Sequence, residues 1–388
     1  MNAKFVFYVI QLLEGFGMGS FFPIYTPWLE LHGLNFLKMG SVNFFYHISS
    51  TILDPFTGFI ADKFGKRKTF VIGQIMWTAT QYIYGASTQV FGFLLAEGVA
   101  AVGNSLKSDA LESWLQNRLG ERESSQVMGR SKILFTIGQV FSSILAGYIS
   151  VTYSMQSAWF VSGTFFLIAT ILGSIALFRT GDDVQEHADS ADVNLKQIVS
   201  LTFANKKITS AMLLLFVYSF ASKPVFMFWP QIVASLNMPE ILRGLSVMAM
   251  SIPALVGSLL AGHSIVFTPN KDGLYKVLIV LCIGLTIAGF AKTLGMFFVG
   301  LTILEVAYGA VRIVMYGHVY NEVQQAHRST VNSLISAVHT LGGAVSLLIM
   351  GELADVFAPQ VSLAIGGMLV LVSLAVVHLI KKNSSRSE

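Results

Sequence analysis

The 388-residue chain is 54% hydrophobic and only 12% charged, about half the charge of an average soluble domain, which excludes a soluble globular protein. Its single cysteine, Cys282, excludes an intrachain disulfide and a thiolate metal site. The net charge of +4 sits mainly in short loops between apolar runs, a pattern of membrane topology rather than of nucleic-acid binding.

Those runs recur at about the 20 residues needed to cross a bilayer as a helix. The predicted spans are 5–28, 39–60, 69–88, 90–116, 127–151, 157–178, 208–235, 244–266, 274–291, 294–320, 330–352 and 358–380. The first has no small-residue cleavage site and reads as a retained helix. The expectation is an all-α membrane protein: twelve transmembrane helices in two pseudo-symmetric six-helix bundles, 1–178 and 208–388, joined by a cytoplasmic linker over 179–207. The linker is acidic first (Asp182, Asp183, Glu186, Asp189, Asp192) and basic last, and is too short to bury a core of its own. Placing the Gly58–Lys68 loop in the cytoplasm puts nineteen Lys and Arg on that side and three on the other. By the positive-inside rule, both termini are then cytoplasmic.

In chain order, the first span carries Glu14 near its middle, then Gly17-Met18-Gly19, Pro23 and Pro27. A carboxyl at that depth serves either as a proton carrier or as half of a structural pair. The second span contains His47, which reads as a packing residue, and Asp54. The fourth brings Asp109 and Glu112 three residues apart on one helical face with Ser105 and Gln116. Such a pair repels and can share a proton; if the helix has already reached water, it is instead a solvated end. Lys107 can offset the pair from the adjacent face.

The seventh span echoes the first, with Pro224 and Trp229 at the separation of Pro23 and Trp28. Leu236-Asn237, Gly244 and Gly262 likewise echo Leu34-Asn35, Gly40 and Gly58. Internal repeats of this kind mark transporter folds whose substrate site lies where the repeats meet. Lys223 precedes Pro224 at mid-span, where a proline frees carbonyls and the amine can reach a cavity. In the tenth span, Glu305, Tyr308, Arg312 and Tyr316 share a face. Arg312 can clamp an anionic group or pair with Glu305 through an intervening group. Phe226 and Trp229 are candidate lining for an amphiphile pocket, or interfacial anchors.

Gly58-x-x-x-Asp62-x-x-Gly65-Lys66-Arg67-Lys68, following the second of twelve spans, resembles the signature loop of the major facilitator superfamily. Asp54-Pro55-Phe56-Thr57 and Ser105-Leu-Lys-Ser-Asp109-Ala-Leu-Glu112 resemble its drug-efflux-like bacterial branches. Glu112-Ser113-Trp114-Leu115 resembles the molybdate-transporter-like branch. The resemblance implies that Gly58, Asp62, Gly65 and Arg67 form a cytoplasmic gate, and that the first, fourth, seventh and tenth helices line a central cavity. Three positions depart from the pattern. Asn117 stands where an acidic latch partner is common, Glu97 stands where an Arg is usual, and the stretch Gly138–Gly147 lacks the proline of many antiporters. Gly351-Glu352-Leu353-Ala354-Asp355-x-Phe357 mimics the signature loop but falls on the opposite side and reads as a helix ending.

No phosphate-binding loop, catalytic Ser-His-Asp set or metal-ligand spacing is present in the sequence. The expectation is therefore a transporter and not an enzyme, with no cofactor, driven by an ion or substrate gradient. Its proton-coupling candidates are Glu14, Asp54, Asp109 and Glu112. Its substrate-binding candidates are Lys107, Lys223, Phe226, Trp229, Glu305, Tyr308 and Arg312. The expected function is proton-coupled efflux of small amphiphilic molecules by alternating access, from a monomer in the bacterial plasma membrane, with no nucleic-acid partner. The alternative is uptake or exchange of an anionic metabolite on the same fold.

Overall fold

The computed structural model describes residues 2–107, 110–179, 202–263, 266–320, 323 and 328–384. Every secondary-structure element among them is helical. We number the α-helices α1 (Ala3–Phe21), α2 (Tyr25–Leu31), α3 (Phe36–Phe64), α4 (Lys66–Ala86), α5 (Val90–Lys107), α6 (Ala110–Leu119), α7 (Glu121–Thr152) and α8 (Met155–Arg179). Then come α9 (Lys206–Ser235), α10 (Leu245–Gly262), α11 (Lys271–Gly289), α12 (Leu294–Tyr320), α13 (Arg328–Val356) and α14 (Pro359–Ser384).

Over its described residues each predicted span falls on helix, with ends shifted by less than two turns, the fourth on α5 and α6 together. Among the described residues, ten stretches are long and apolar enough to cross a membrane. Helices α3 and α4 have 29 and 21 residues but share the charges of the signature loop at their junction. The first span is three pieces rather than one: α1, a 3-10 turn over Phe22–Ile24 and α2. Pro23 has no N–H to give an α-helix, and the start of a short turn tolerates that loss. Its counterpart α9 runs unbroken through Pro224 and Pro230.

The chain divides into two compact units. Unit one comprises Met1–Asn35, Ser41–Ala188 and Met238–Met248. Within it, α1 lies along α7 through small residues: a Cβ on Gly138 would stand 2.6 Å from the Leu12 carbonyl oxygen, and one on Gly15 would strike the Phe135 carbonyl. Lipid supplies no hydrophobic drive for helix pairing, so backbones this close gain stability from van der Waals packing. One end of the unit is filled by Phe7, Ile10, Phe70, Trp114, Leu115 and Val127. Trp159, Phe166 and Phe93 are also fully buried.

Unit two comprises Phe36–Gly40, Asp189–Asn237 and Ala249–Glu388. Here α11 packs on α12, and α9 on α13. Tyr218, Phe228 and Trp229 of α9 are wholly buried. A Cβ on Gly342 of α13 would lie 2.6 Å from the Phe216 carbonyl oxygen, again a backbone-to-backbone seam.

Candidate functional site

Unit one holds an ion pair in its interior. Glu14 of α1 receives Lys107 Nζ, at the end of α5, at 3.1 Å on Oε1. Gln11 Nε2, one turn back on α1, donates to Oε2 at 3.2 Å. The two charged side chains are only 12% and 15% exposed, so water screens them little. The ammonium also lies 4.8 Å from the Trp77 ring centroid and 5.8 Å from that of Phe166, a cation–π arrangement that offsets part of its desolvation. Lys107, which the sequence also allows to offset Asp109 and Glu112, thus pairs with Glu14. Asp109 lies outside the described residues, and Glu112 is exposed in the first turn of α6.

Asp54 is exposed on α3, where its Oδ1 accepts from Ser105 Oγ of α5 at 2.5 Å. Ser50 Oγ stands 3.3 Å from the same Ser105 hydroxyl. This polar stitch ties α3 to α5, so Asp54 has a packing role whatever its part in coupling.

The signature loop is described in part. Gly65 adopts φ 89, a left-handed conformation costly for any residue with a Cβ, and so ends α3 and starts α4 in a single residue. Thr69 closes that start by donating from Oγ1 to the Gly65 carbonyl at 3.0 Å. Arg67 is 9% exposed. Gly58 lies in the helical run of α3, while the side chain of Asp62 lies outside the described residues.

A second polar centre of unit one escaped the sequence reading. Glu97 of α5 is 5% exposed, and its Oε1 accepts from Tyr84 Oη at 2.5 Å and from Tyr25 Oη at 2.7 Å. Asn43 Nδ2 donates to Tyr25 Oη at 3.3 Å. Trp159 stacks on Tyr84, with ring centroids 4.6 Å apart. The sequence signal was Glu97 itself, a carboxyl in an apolar span. Its partners are aromatic residues that read as core.

In unit two, Lys223 runs along α13, its Cγ 3.4 Å from where a Cβ on Gly343 would sit. Phe226 meets Tyr308 of α12 with centroids 4.6 Å apart. Trp229 is 0% exposed and belongs to the packed interior. Along α12, Glu305 is 1% exposed and Tyr308 is 42% exposed, while the guanidinium of Arg312 lies 5.5 Å from the Tyr316 ring centroid. Glu305 Oε1 and Tyr218 Oη are both buried and accept or donate no hydrogen bond among the described residues. His339 of α13 lies on the Tyr218 ring, with centroids 6.3 Å apart. The sequence reading did not single out His339, since one imidazole on an apolar helix carries no spacing signal.

Each unit therefore has its own polar interior. That of unit one is a salt bridge plus a tyrosine-bound carboxyl. That of unit two holds the buried Glu305 carboxyl and the buried Tyr218 hydroxyl. Among the described residues, no group of three or more His, Cys, Asp and Glu side chains could hold a metal ion.

Comparison with known proteins accounts for this plan. The family model of the Major Facilitator Superfamily matches residues 7–269. An uncharacterized MFS-type transporter of Bacillus subtilis strain 168, YxaM, is 22% identical over 245 residues, 61% of this chain and 60% of its own length. Multidrug resistance protein 2 of the same organism is 22% identical over 190 residues, 48% of this chain and 47% of its own length. The quinolone resistance protein NorA of Staphylococcus aureus is 19% identical over 178 residues, 46% of each chain. The chain thus spans between 46% and 60% of the length of these relatives. Among solved structures, a point mutant of the nucleoside transporter NupG aligns with TM-score 0.78 at 15% identity, over 96% of this chain and 98% of its own. A D-xylose-proton symporter aligns with TM-score 0.76 at 14% identity, over 96% and 95%. The chain belongs to the major facilitator superfamily, a family of transporters and not of enzymes, and its ten apolar helices among the described residues make it a multi-pass membrane protein.

Proposed function

We propose that the chain couples the outward movement of small amphiphilic molecules to the inward movement of protons. The observation that carries this reading is the Glu14–Lys107 pair, a carboxylate and an ammonium 3.1 Å apart inside a membrane-embedded unit. Such a pair is costly to bury, and its carboxylate has three mutually exclusive states: bridged to Lys107, protonated, or facing a substrate cation. Mutual exclusion at one carboxylate is the simplest physical basis for exchange, because a proton arriving from one side displaces a cation bound from the other. The names of two relatives, one a multidrug and one a quinolone resistance protein, support the efflux direction. The same reading has two six-helix halves, 1–178 and 208–388, joined by a linker over 179–207. It places both termini and the Gly58–Lys68 loop in the cytoplasm, the Asp62/Arg67 gate at that face, and a monomer in the bacterial cytoplasmic membrane.

The test is transport in proteoliposomes of purified protein under an imposed pH gradient, with a fluorescent lipophilic cation as substrate. The expected outcome is gradient-dependent accumulation that Glu14→Gln abolishes. Accumulation indifferent to both the gradient and the substitution would sink the proton claim.

A second reading, transport of an anionic metabolite, is favoured by two basic residues inside spans of unit two, Lys223, which runs along α13, and Arg312, whose guanidinium lies 5.5 Å from the Tyr316 ring centroid. Competition by a panel of organic anions and cations separates the two: anion-only competition, lost in Arg312→Gln, would establish the anion reading.

A further inference from the structure

One buried polar side chain of unit one stands outside the centres described above. Gln74 of α4 is 0% exposed, and neither its Nε2 nor its Oε1 makes a hydrogen bond among the described residues. A primary amide brings two donor protons and two acceptor lone pairs, and leaving them unmet in an apolar interior carries a desolvation cost that a leucine would not. The backbone carbonyl of Gln74 accepts from Thr78 Oγ1 at 2.8 Å, and that hydroxyl stands 3.1 Å from Thr170 Oγ1 of α8. This stretch of α4 is therefore turned to α8 and the interior of the unit.

The Glu14–Lys107 pair lies against the same stretch. A Cβ on Gly73 would stand 2.7 Å from the Gly103 carbonyl oxygen and 2.9 Å from the Lys107 backbone nitrogen, so backbone meets backbone where α4 crosses α5. Trp77, three residues on from Gln74, lies under the Lys107 ammonium at 4.8 Å, and Phe166 of α8 meets Trp77 edge-on at 6.2 Å. Residues three apart on a helix have Cβ atoms about 5–6 Å apart, a gap that the flexible four-carbon stem of a lysine covers by rotation. An unused, buried acceptor thus stands about one turn of α4 from the ammonium. All of these residues belong to unit one.

We propose that Gln74 is the second station of Lys107. When Glu14 gives up the ammonium for a proton or a substrate cation, Nζ turns from Glu14 Oε1 to Gln74 Oε1 and stays hydrogen-bonded inside the unit. The proton enters on Glu14, and only hydrogen bonds rearrange. Gln74 is a positioning residue that acts through Lys107: idle while the pair is bridged, it lowers the cost of the state in which Glu14 is free to exchange. The proposal rests on the reading of Glu14 as an exchanging carboxylate.

The experiment is a cycle of thermal midpoints on the full-length protein in detergent. In the wild-type background, Gln74→Leu discards an amide that bonds nothing, and the midpoint is expected to hold or rise. In a Glu14→Leu background, the same change takes away the remaining acceptor of Lys107, and a further fall of roughly 3–6 °C is expected. With Lys107→Met added, the difference between the two backgrounds should vanish. Gln74→Glu gives an independent route and serves where Gln74→Leu fails to fold: combined with Glu14→Leu it offers Lys107 a new carboxylate, and the midpoint should return toward wild type. A purely structural amide, or one satisfied by buried water, would make Gln74→Leu cost the same in both backgrounds, and that result overturns the proposal. So does a Glu14→Leu midpoint that Gln74→Glu leaves unchanged, or a background dependence that survives Lys107→Met. The midpoints involve no substrate. If wild-type protein moves none of the cations offered, the efflux reading fails, while the cycle still decides whether Gln74 receives Lys107.

Discussion

At the residue scale, the charged groups inside the membrane carry the most information. Glu14 and Lys107 stand out in the sequence because an ionisable residue in an apolar span is costly, but their pairing does not, since 93 positions separate them. Removing one member of a buried pair strands the other charge, at a cost of about 3–5 kcal/mol. Glu14→Gln or Lys107→Met should therefore lower the thermal midpoint in detergent sharply. The double variant should recover much of that loss while remaining inactive under a pH gradient. Recovery of stability together with activity would assign the pair to scaffold alone. Glu97 makes a separate case, because two tyrosine hydroxyls donate to one of its oxygens. Tyr84→Phe deletes the shorter of those bonds and should cost roughly 1.5–3 kcal/mol, the range for hydrogen bonds to charged groups. Glu97→Gln keeps an oxygen that can accept both hydroxyls and should cost less, so the reverse order in thermal unfolding would contradict the network described. Nothing in the sequence links Tyr25, Tyr84 and Glu97, because residues brought together by tertiary packing have no fixed spacing.

At the element scale, hydropathy and length located each span, since a span must satisfy its own backbone and cover about 30 Å of hydrocarbon. They did not show where the helices touch. Glycines in apolar helices are ambiguous from sequence: Gly129 and Gly295 face open space, whereas Gly138 and Gly342 each press on a neighbouring backbone. Gly138→Ala should thus destabilise by about 1–3 kcal/mol through overpacking, against little effect for Gly129→Ala. Equal thermal midpoints for the two would show that the α1–α7 seam yields more easily than its spacing suggests. The break at Pro23 and the unbroken course of α9 through Pro224 make the same point. A proline marks where a helix can bend, and packing decides whether it does.

At the scale of the whole molecule, the repeat and the twelve apolar runs made the fold legible, because a bilayer leaves so few ways to arrange them. The tip of α3 was not legible. The span prediction begins at residue 39 and treats the helix as one body, whereas its first five residues belong to unit two. Orientation depends on a single argument, the excess of Lys and Arg on one side, and can be tested directly. In a Cys282→Ser background, Lys68→Cys, at an exposed position near the start of α4, should resist a membrane-impermeant maleimide in intact cells and react after permeabilisation. Thr88→Cys, exposed in the short link between α4 and α5, should react in intact cells. The two sites lie at opposite ends of one 21-residue helix, about 30 Å apart at 1.5 Å per residue, so they must label from opposite faces. Reversed labelling would turn the molecule over in the membrane. It would also place the Gly58–Lys68 cations outside, against the rule that orients them, and the direction of proton-driven movement would have to be argued again from the opposite face.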